Sequence, residues 1–93
     1  MYFKKSLGQN FLIDKNIIKK IISLTTIKNK NIIEIGPGTG ALTKEILEQK
    51  PKSLKIIEKD KNLTNKLQNK FFQKNNLEIF NDDILKFNLE KIV

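Results

Sequence analysis

Three short segments of this sequence carry residue types suited to holding a nucleoside. The first is Gly36-Pro37-Gly38-Thr39-Gly40, directly after the apolar run Ile32-Ile33-Glu34-Ile35. Alternate glycines let the backbone turn sharply and approach a ligand with no Cβ in the way. The amides of a helix opening beyond such a turn favour negative groups. Gly36, Gly38 and Ala41 also fit the looser pattern G-x-G-x-x-G/A. The turn by itself therefore does not separate a nicotinamide cofactor from another nucleoside, nor from a tight connection in an unrelated α/β protein. The second segment ends in Glu58, 18 residues after Gly40 and directly after Leu54-Lys55-Ile56-Ile57. A carboxylate there can accept hydrogen bonds from both hydroxyls of a ribose, although a strand-end Glu taken alone is usually just solvated. The third ends in Asp82-Asp83. Asp83 can accept a hydrogen bond from an adenine amine, but position alone favours an N-cap for a helix beginning near Ile84, a role open to Asp82 too.

Glu34 lies inside an apolar run, and a buried carboxylate is costly unless hydrogen-bonded. A cationic ligand nearby would make it tolerable, which points to the sulfonium of S-adenosylmethionine over NAD. Gln9-Asn10-Phe11-Leu12 combines amides with apolar side chains and reads, unaided, as an ordinary N-terminal loop. The sequence has no histidine and no cysteine. The commonest general base is absent, as are thiolate and imidazole metal ligands and disulfides, so no metal site is expected.

The elements that must position these groups follow from periodicity. A helix is expected from Asp14, which can cap it, with Ile17, Ile18, Ile21, Ile22 and Leu24 at helical spacing. Residues 1–13 before it read as basic and irregular. Ile32–Ile35 reads as a buried strand, and Ala41–Gln49 as a helix with Leu42, Ile46 and Leu47 on one face, ended by Pro51. Leu54–Ile57 is a second strand, Asp60 caps a third helix to about Lys70, and Leu77–Phe80 alternates as a third strand. The tail from Ile84 is ambiguous. Strand-helix-strand-helix-strand predicts a parallel α/β sheet with the ligand beyond the carboxyl ends of the strands. The segments there, 36–40, 58–60 and 81–83, all carry glycines or carboxylates.

At 93 residues the chain is short for one α/β domain, and no linker or repeat divides it. Apolar runs are far too short to span a membrane and no signal peptide is recognisable, so the expected location is the cytoplasm. The net charge of +8 favours polyanions, chiefly nucleic acid. All 18 basic residues are Lys, however, and the Lys/Asn/Ile bias is also what an AT-rich coding sequence produces. Arg would be the better residue for bidentate contacts to RNA.

Taken together, the segments resemble the ribosomal RNA adenine N6-dimethyltransferase family over nearly the whole chain. Lys5-Ser6-Leu7-Gly8-Gln9-Asn10-Phe11-Leu12 looks like that family's K-x-x-G-Q-N-F-L, and Glu34–Thr43 looks like its cofactor motif. Ile57-Glu58-Lys59-Asp60 and Asp82–Phe87 resemble its two acidic strand ends. Pro37 and Gly8 are similar to the housekeeping, small-subunit branch of the 16S rRNA dimethyltransferase A type. The alternatives are the large-subunit resistance branch and a non-catalytic basic RNA-binding fragment. The resemblance implies an α/β, Rossmann-like methyltransferase domain with S-adenosylmethionine as cofactor. The implied cofactor contacts are Asn10, Leu12, Gly36, Glu58 and Asp83, and the implied partner is small-subunit ribosomal RNA or a pre-30S particle.

Family members continue to a fourth strand ending in Asn-Leu-Pro-Tyr, which accepts the adenine amine's hydrogens and stacks on the flipped base, and to a small helical domain. Residues 1–93 contain neither, so they are expected to form a partial cofactor-binding domain, with no catalytic residue and no methylation by the chain alone. Ile32–Ile35 is further expected to lie at an open, apolar sheet edge prone to aggregation.

Overall fold

The computed structural model describes residues 2–4, 19–20, 22–24, 26–88 and 90. Four strands form one parallel sheet: β1 (Tyr2–Lys4), β2 (Asn31–Ile35), β3 (Ser53–Glu58) and β4 (Leu77–Asn81), side by side in chain order. Helix α1 (Ala41–Glu48) links β2 to β3, and α2 (Lys61–Lys70) links β3 to β4. This is the expected α/β, Rossmann-like arrangement.

The registers Ile32↔Leu54 and Leu54↔Leu77 put Ile32, Leu54, Ile56 and Ile79 on one face of the sheet. Both helices cover that face. Leu42, Ile46 and Leu47 of α1 and Leu67 of α2 join Ile32, Leu54, Ile56, Ile22, Ile27 and Phe71 in a single core. Fully burying one such aliphatic side chain contributes about 1.5–3 kcal/mol, so this face carries most of the stabilisation. Ile33 and Ile57, of opposite parity, are buried on the other face. There Phe80 meets Phe87 edge to face, with ring centroids 5.3 Å apart.

Local chemistry sets the element ends. The Asp60 carboxylate accepts from the amides of Asn62 (2.8 Å) and Leu63 (3.2 Å), the N-cap expected of it. Helix α1 closes where the Lys50 amide donates to the Leu47 carbonyl, Lys50 itself adopts φ 57°, and Pro51 follows. Of the first expected helix, residues 19–20 and 22–23 are helical and Ile22 is buried; Ile17, Ile18 and Ile21 lie outside the described residues. Leu24 falls instead in the turn after the helix and is 79% exposed, so it does not belong to the buried stripe.

One expectation is overturned. β2 is not an open edge, because β1 pairs with it in parallel, Tyr2 opposite Ile33 and Lys4 opposite Ile35. Residues 2–4, read from sequence as irregular, acquire strand geometry from that pairing. Three residues are too few to show a period of two on their own.

Candidate functional site

The registers Ile35↔Ile57 and Glu58↔Asn81 bring the carboxyl ends of β2, β3 and β4 level with one another. The three strand-end segments therefore meet. Between them lies a cleft of about 260 Å³ lined by Ile35, Gly36, Ile57, Glu58, Lys59, Asp82, Asp83, Ile84 and Leu85. Gly36, Glu58 and Asp83, picked from three separate stretches of sequence, thus face one space. Asn10 and Leu12 lie outside the described residues.

Gly36 leaves β2 with φ 65°, a conformation that suits glycine, while its amide donates to the Ile57 carbonyl at 3.0 Å. The chain turns away from the sheet at that point, and Gly38 (φ 59°) and Gly40 (φ 88°) continue the turn into α1. No side chain caps α1, and its first turn holds no acidic residue. The carboxylate that meets this first turn comes from β2, where Glu34 Oε1 accepts from Thr43 Oγ1.

Glu58 is 7% exposed. Its Oε2 accepts from the Asp60 amide at 2.9 Å, which fixes the carboxylate plane at the end of β3. Around it the main chain is tied down as well. The Glu58 carbonyl accepts from the Asp82 amide and from Asn81 Nδ2, both at 3.0 Å. The acidic ends of β3 and β4 are thereby held together as one rigid wall.

Asp83 both caps a turn and lines the cleft. Its Oδ1 accepts from the Leu85 amide at 2.9 Å, capping a turn over residues 84–86, where a full helix had been the expectation. The same residue lines the cleft, with apolar Ile84 and Leu85 beside it. Glu34 is 1% exposed and is not part of that lining. Thr43 Oγ1 of α1 donates to its Oε1 at 2.6 Å. The hydrogen bond that a buried carboxylate needs thus comes from the protein, with no cationic ligand required for it. Among the described residues no cluster of acidic side chains could hold a metal ion, and no helix is long and apolar enough to cross a membrane.

Residues 1–93 match the family model described as ribosomal RNA adenine dimethylase. The chain belongs to that family. Curated relatives of the adenine dimethylase family agree with it closely. The ribosomal RNA small subunit methyltransferase A of Pelagibacter ubique is 55% identical over 83 residues, covering 89% of this chain and 31% of that protein. The protein of the same name from Wigglesworthia glossinidia brevipalpis is 57% identical over 88 residues, covering 94% and 33%. Among solved structures, one assigned as an RNA methyltransferase of Pyrococcus horikoshii superimposes with a TM-score of 0.71 at 26% identity, covering 78% of this chain and 38% of that one. The chain spans about a third of the length of the curated relatives it matches.

Within this dimethylase-family chain, sequence reasoning missed Thr43 and the apolar cleft walls. Thr43 is nine residues from Glu34, and nothing local announces the contact. Ile84 and Leu85 sat in a tail whose periodicity was uninformative; the signals available were their adjacency to Asp83 and their place in the Asp82–Phe87 segment.

Proposed function

We propose that this chain forms the cofactor-holding part of an adenine N6-dimethyltransferase acting on small-subunit ribosomal RNA, with S-adenosylmethionine as methyl donor. One observation carries the reading: a glycine turn and two acidic strand ends share one cleft in a member of the adenine dimethylase family. The names of the curated relatives favour the small-subunit branch over the resistance branch.

The residues present fit such a cofactor. Gly36 brings main chain to the cleft without a Cβ, and Glu58 would accept from the ribose hydroxyls, its plane already set by Asp60. Asp83 would accept from the adenine amine, and Ile57, Ile84 and Leu85 supply apolar surface for a flat ring. By resemblance, Asn10 and Leu12 would complete the contacts. When bound, the cofactor supplies an electrophilic sulfonium methyl group. An Asn-Leu-Pro-Tyr motif does not occur in these 93 residues, so the role proposed for the residues present is to hold the cofactor. The intended setting is a ribosomal particle in the cytoplasm.

Calorimetric titration with S-adenosylmethionine, and separately with NAD, tests this. Selective binding of S-adenosylmethionine, weakened about 10- to 100-fold by Glu58→Ala, is the expected result, since truncation loses hydrogen bonds to a charged acceptor. Selective NAD binding, or no binding of either by a folded chain, would overturn it.

A further inference from the structure

The opposite end of the sheet has a different character. Three connections meet at the amino ends of β2, β3 and β4: residues 26–30, 49–52 and 71–76. They carry Lys28, Lys30, Lys50, Lys52 and Lys74, all exposed, and not one Asp or Glu. The carboxyl ends, by contrast, mix Lys59 and Lys86 with Glu58, Asp60, Asp82 and Asp83. A lysine bias from coding composition alone has no reason to sort cations by the end of the sheet.

The cationic end is also pre-ordered. The Asn29 amide donates to the Lys50 carbonyl (3.1 Å), and the amides of Lys52 (2.9 Å) and Ser53 (3.3 Å) donate to the Lys30 carbonyl. On the other side, the Leu54 amide donates to the Asn76 carbonyl (2.8 Å), and Asn76 Nδ2 to the Pro51 carbonyl (3.0 Å). Each connection is thus tied to the next. Asn29 (φ 62°) and Lys50 (φ 57°) are held in the left-handed region, which fixes the turns further. The third connection adds a ring. Phe72 is 77% exposed beside buried Phe71, while Lys70 stands over Phe71 at 5.4 Å.

We propose that this amino-end platform is a second RNA-contacting surface, opposite the cofactor cleft, on which the five lysines track phosphates and Phe72 stacks on an unpaired base. Five lysines gathered on one rim, with Glu48 and Glu78 just outside the three connections, attract a phosphate backbone, and an exposed aromatic ring among them suits single-stranded RNA. Amides at Asn29, Asn31, Gln73 and Asn75 add neutral donors and acceptors along the same rim. The choice of RNA rests on the substrate proposed above, but the surface does not depend on the cofactor reading.

The test is fluorescence anisotropy with a labelled single-stranded RNA oligonucleotide over a range of salt. The variant combines Lys30→Gln, Lys52→Gln and Lys74→Gln; a control of equal charge combines Lys19→Gln, Lys20→Gln and Lys44→Gln, all exposed and outside the three connections. Circular dichroism confirms that both variants fold. The platform variant should lose affinity about tenfold or more, with the log–log salt slope shallower by about 2, while the control stays within about twofold. Phe72→Ala should cost affinity, and Phe72→Tyr should restore it. Equal losses in both triple variants would reduce the effect to net charge and overturn the proposal. So would an unaffected platform variant, or binding of anionic phosphatidylglycerol vesicles without RNA. Titrating S-adenosylmethionine into the same variants separates the two readings, because platform substitutions should leave cofactor affinity unchanged.

Discussion

Thr43 Oγ1 lies 2.6 Å from Oε1 of Glu34, and both residues are shielded from solvent. The bond joins the carboxyl end of β2 to the first turn of α1, so it closes the base of the loop 36–40 that lies between them. The end of β2, whose Ile35 lines the cleft, is therefore locked to α1 by a contact outside the cleft.

Replacing Thr43 with Val keeps the shape and removes the donor. A hydrogen bond to a charged group contributes about 1.5–3 kcal/mol, and the buried carboxylate loses this donor. Thr43→Val should lower unfolding stability by about that amount in urea titration. In a double-mutant cycle with Glu34→Gln, which keeps an acceptor oxygen but removes the charge, a coupling near zero would show that the charge adds nothing to the contact.

Gly40 has a different constraint. Its φ is 88°, and a Cβ there would meet Leu67 Cδ2 at 2.8 Å and Phe71 Cε2 at 3.3 Å. Gly40→Ala therefore combines a left-handed backbone, about 1–2 kcal/mol for a side-chain-bearing residue, with overpacking of about 1–3 kcal/mol. Thermal or urea unfolding should show a loss of roughly 2–5 kcal/mol from the two together. In a Leu67→Ala background the larger steric part should be relieved, leaving the backbone part and the milder Phe71 contact. An identical loss in both backgrounds would contradict the steric account.

Asp60 serves the helix and Glu58 at once, through different atoms. Its side chain caps α2, while its main-chain amide holds Glu58 Oε2. Asp60→Ala should therefore destabilise by about 1 kcal/mol while leaving Glu58 oriented, and Asp60→Asn should recover most of that stability. A loss of S-adenosylmethionine affinity in Asp60→Asn, with stability intact, would mean that the carboxylate itself reaches the ligand.

What was legible in the sequence divides along the range of the interactions involved. The three strands 31–35, 53–58 and 77–81 and the two helices were visible because apolar spacing, Asp60 and Pro51 are local signals. The meeting of Gly36, Glu58 and Asp83 followed from the topology, since parallel strands place like ends together. β1 was not visible, because Tyr2–Lys4 is a strand only by virtue of β2, whose paired residues lie 31 positions further along (Tyr2↔Ile33). For the same reason the open edge expected at Ile32–Ile35 does not exist. Leu24 fitted the helical period but fell one residue past the helix end, where no Gly or Pro announced the stop.

Asp83 offers the sharpest separation of a structural from a ligand-binding role. Its Oδ1 is occupied by the Leu85 amide. Asn at this position keeps an oxygen for that bond but turns an NH2 donor toward the cleft, where the proposed adenine amine also donates. Asp83→Asn should therefore leave the unfolding midpoint nearly unchanged yet weaken S-adenosylmethionine binding about as much as Asp83→Ala does. Asp83→Ala should in addition destabilise the turn by about 1 kcal/mol. If Asp83→Asn instead binds cofactor like the parent chain, the carboxylate is only a turn cap, and adenine must be recognised by other groups in the cleft.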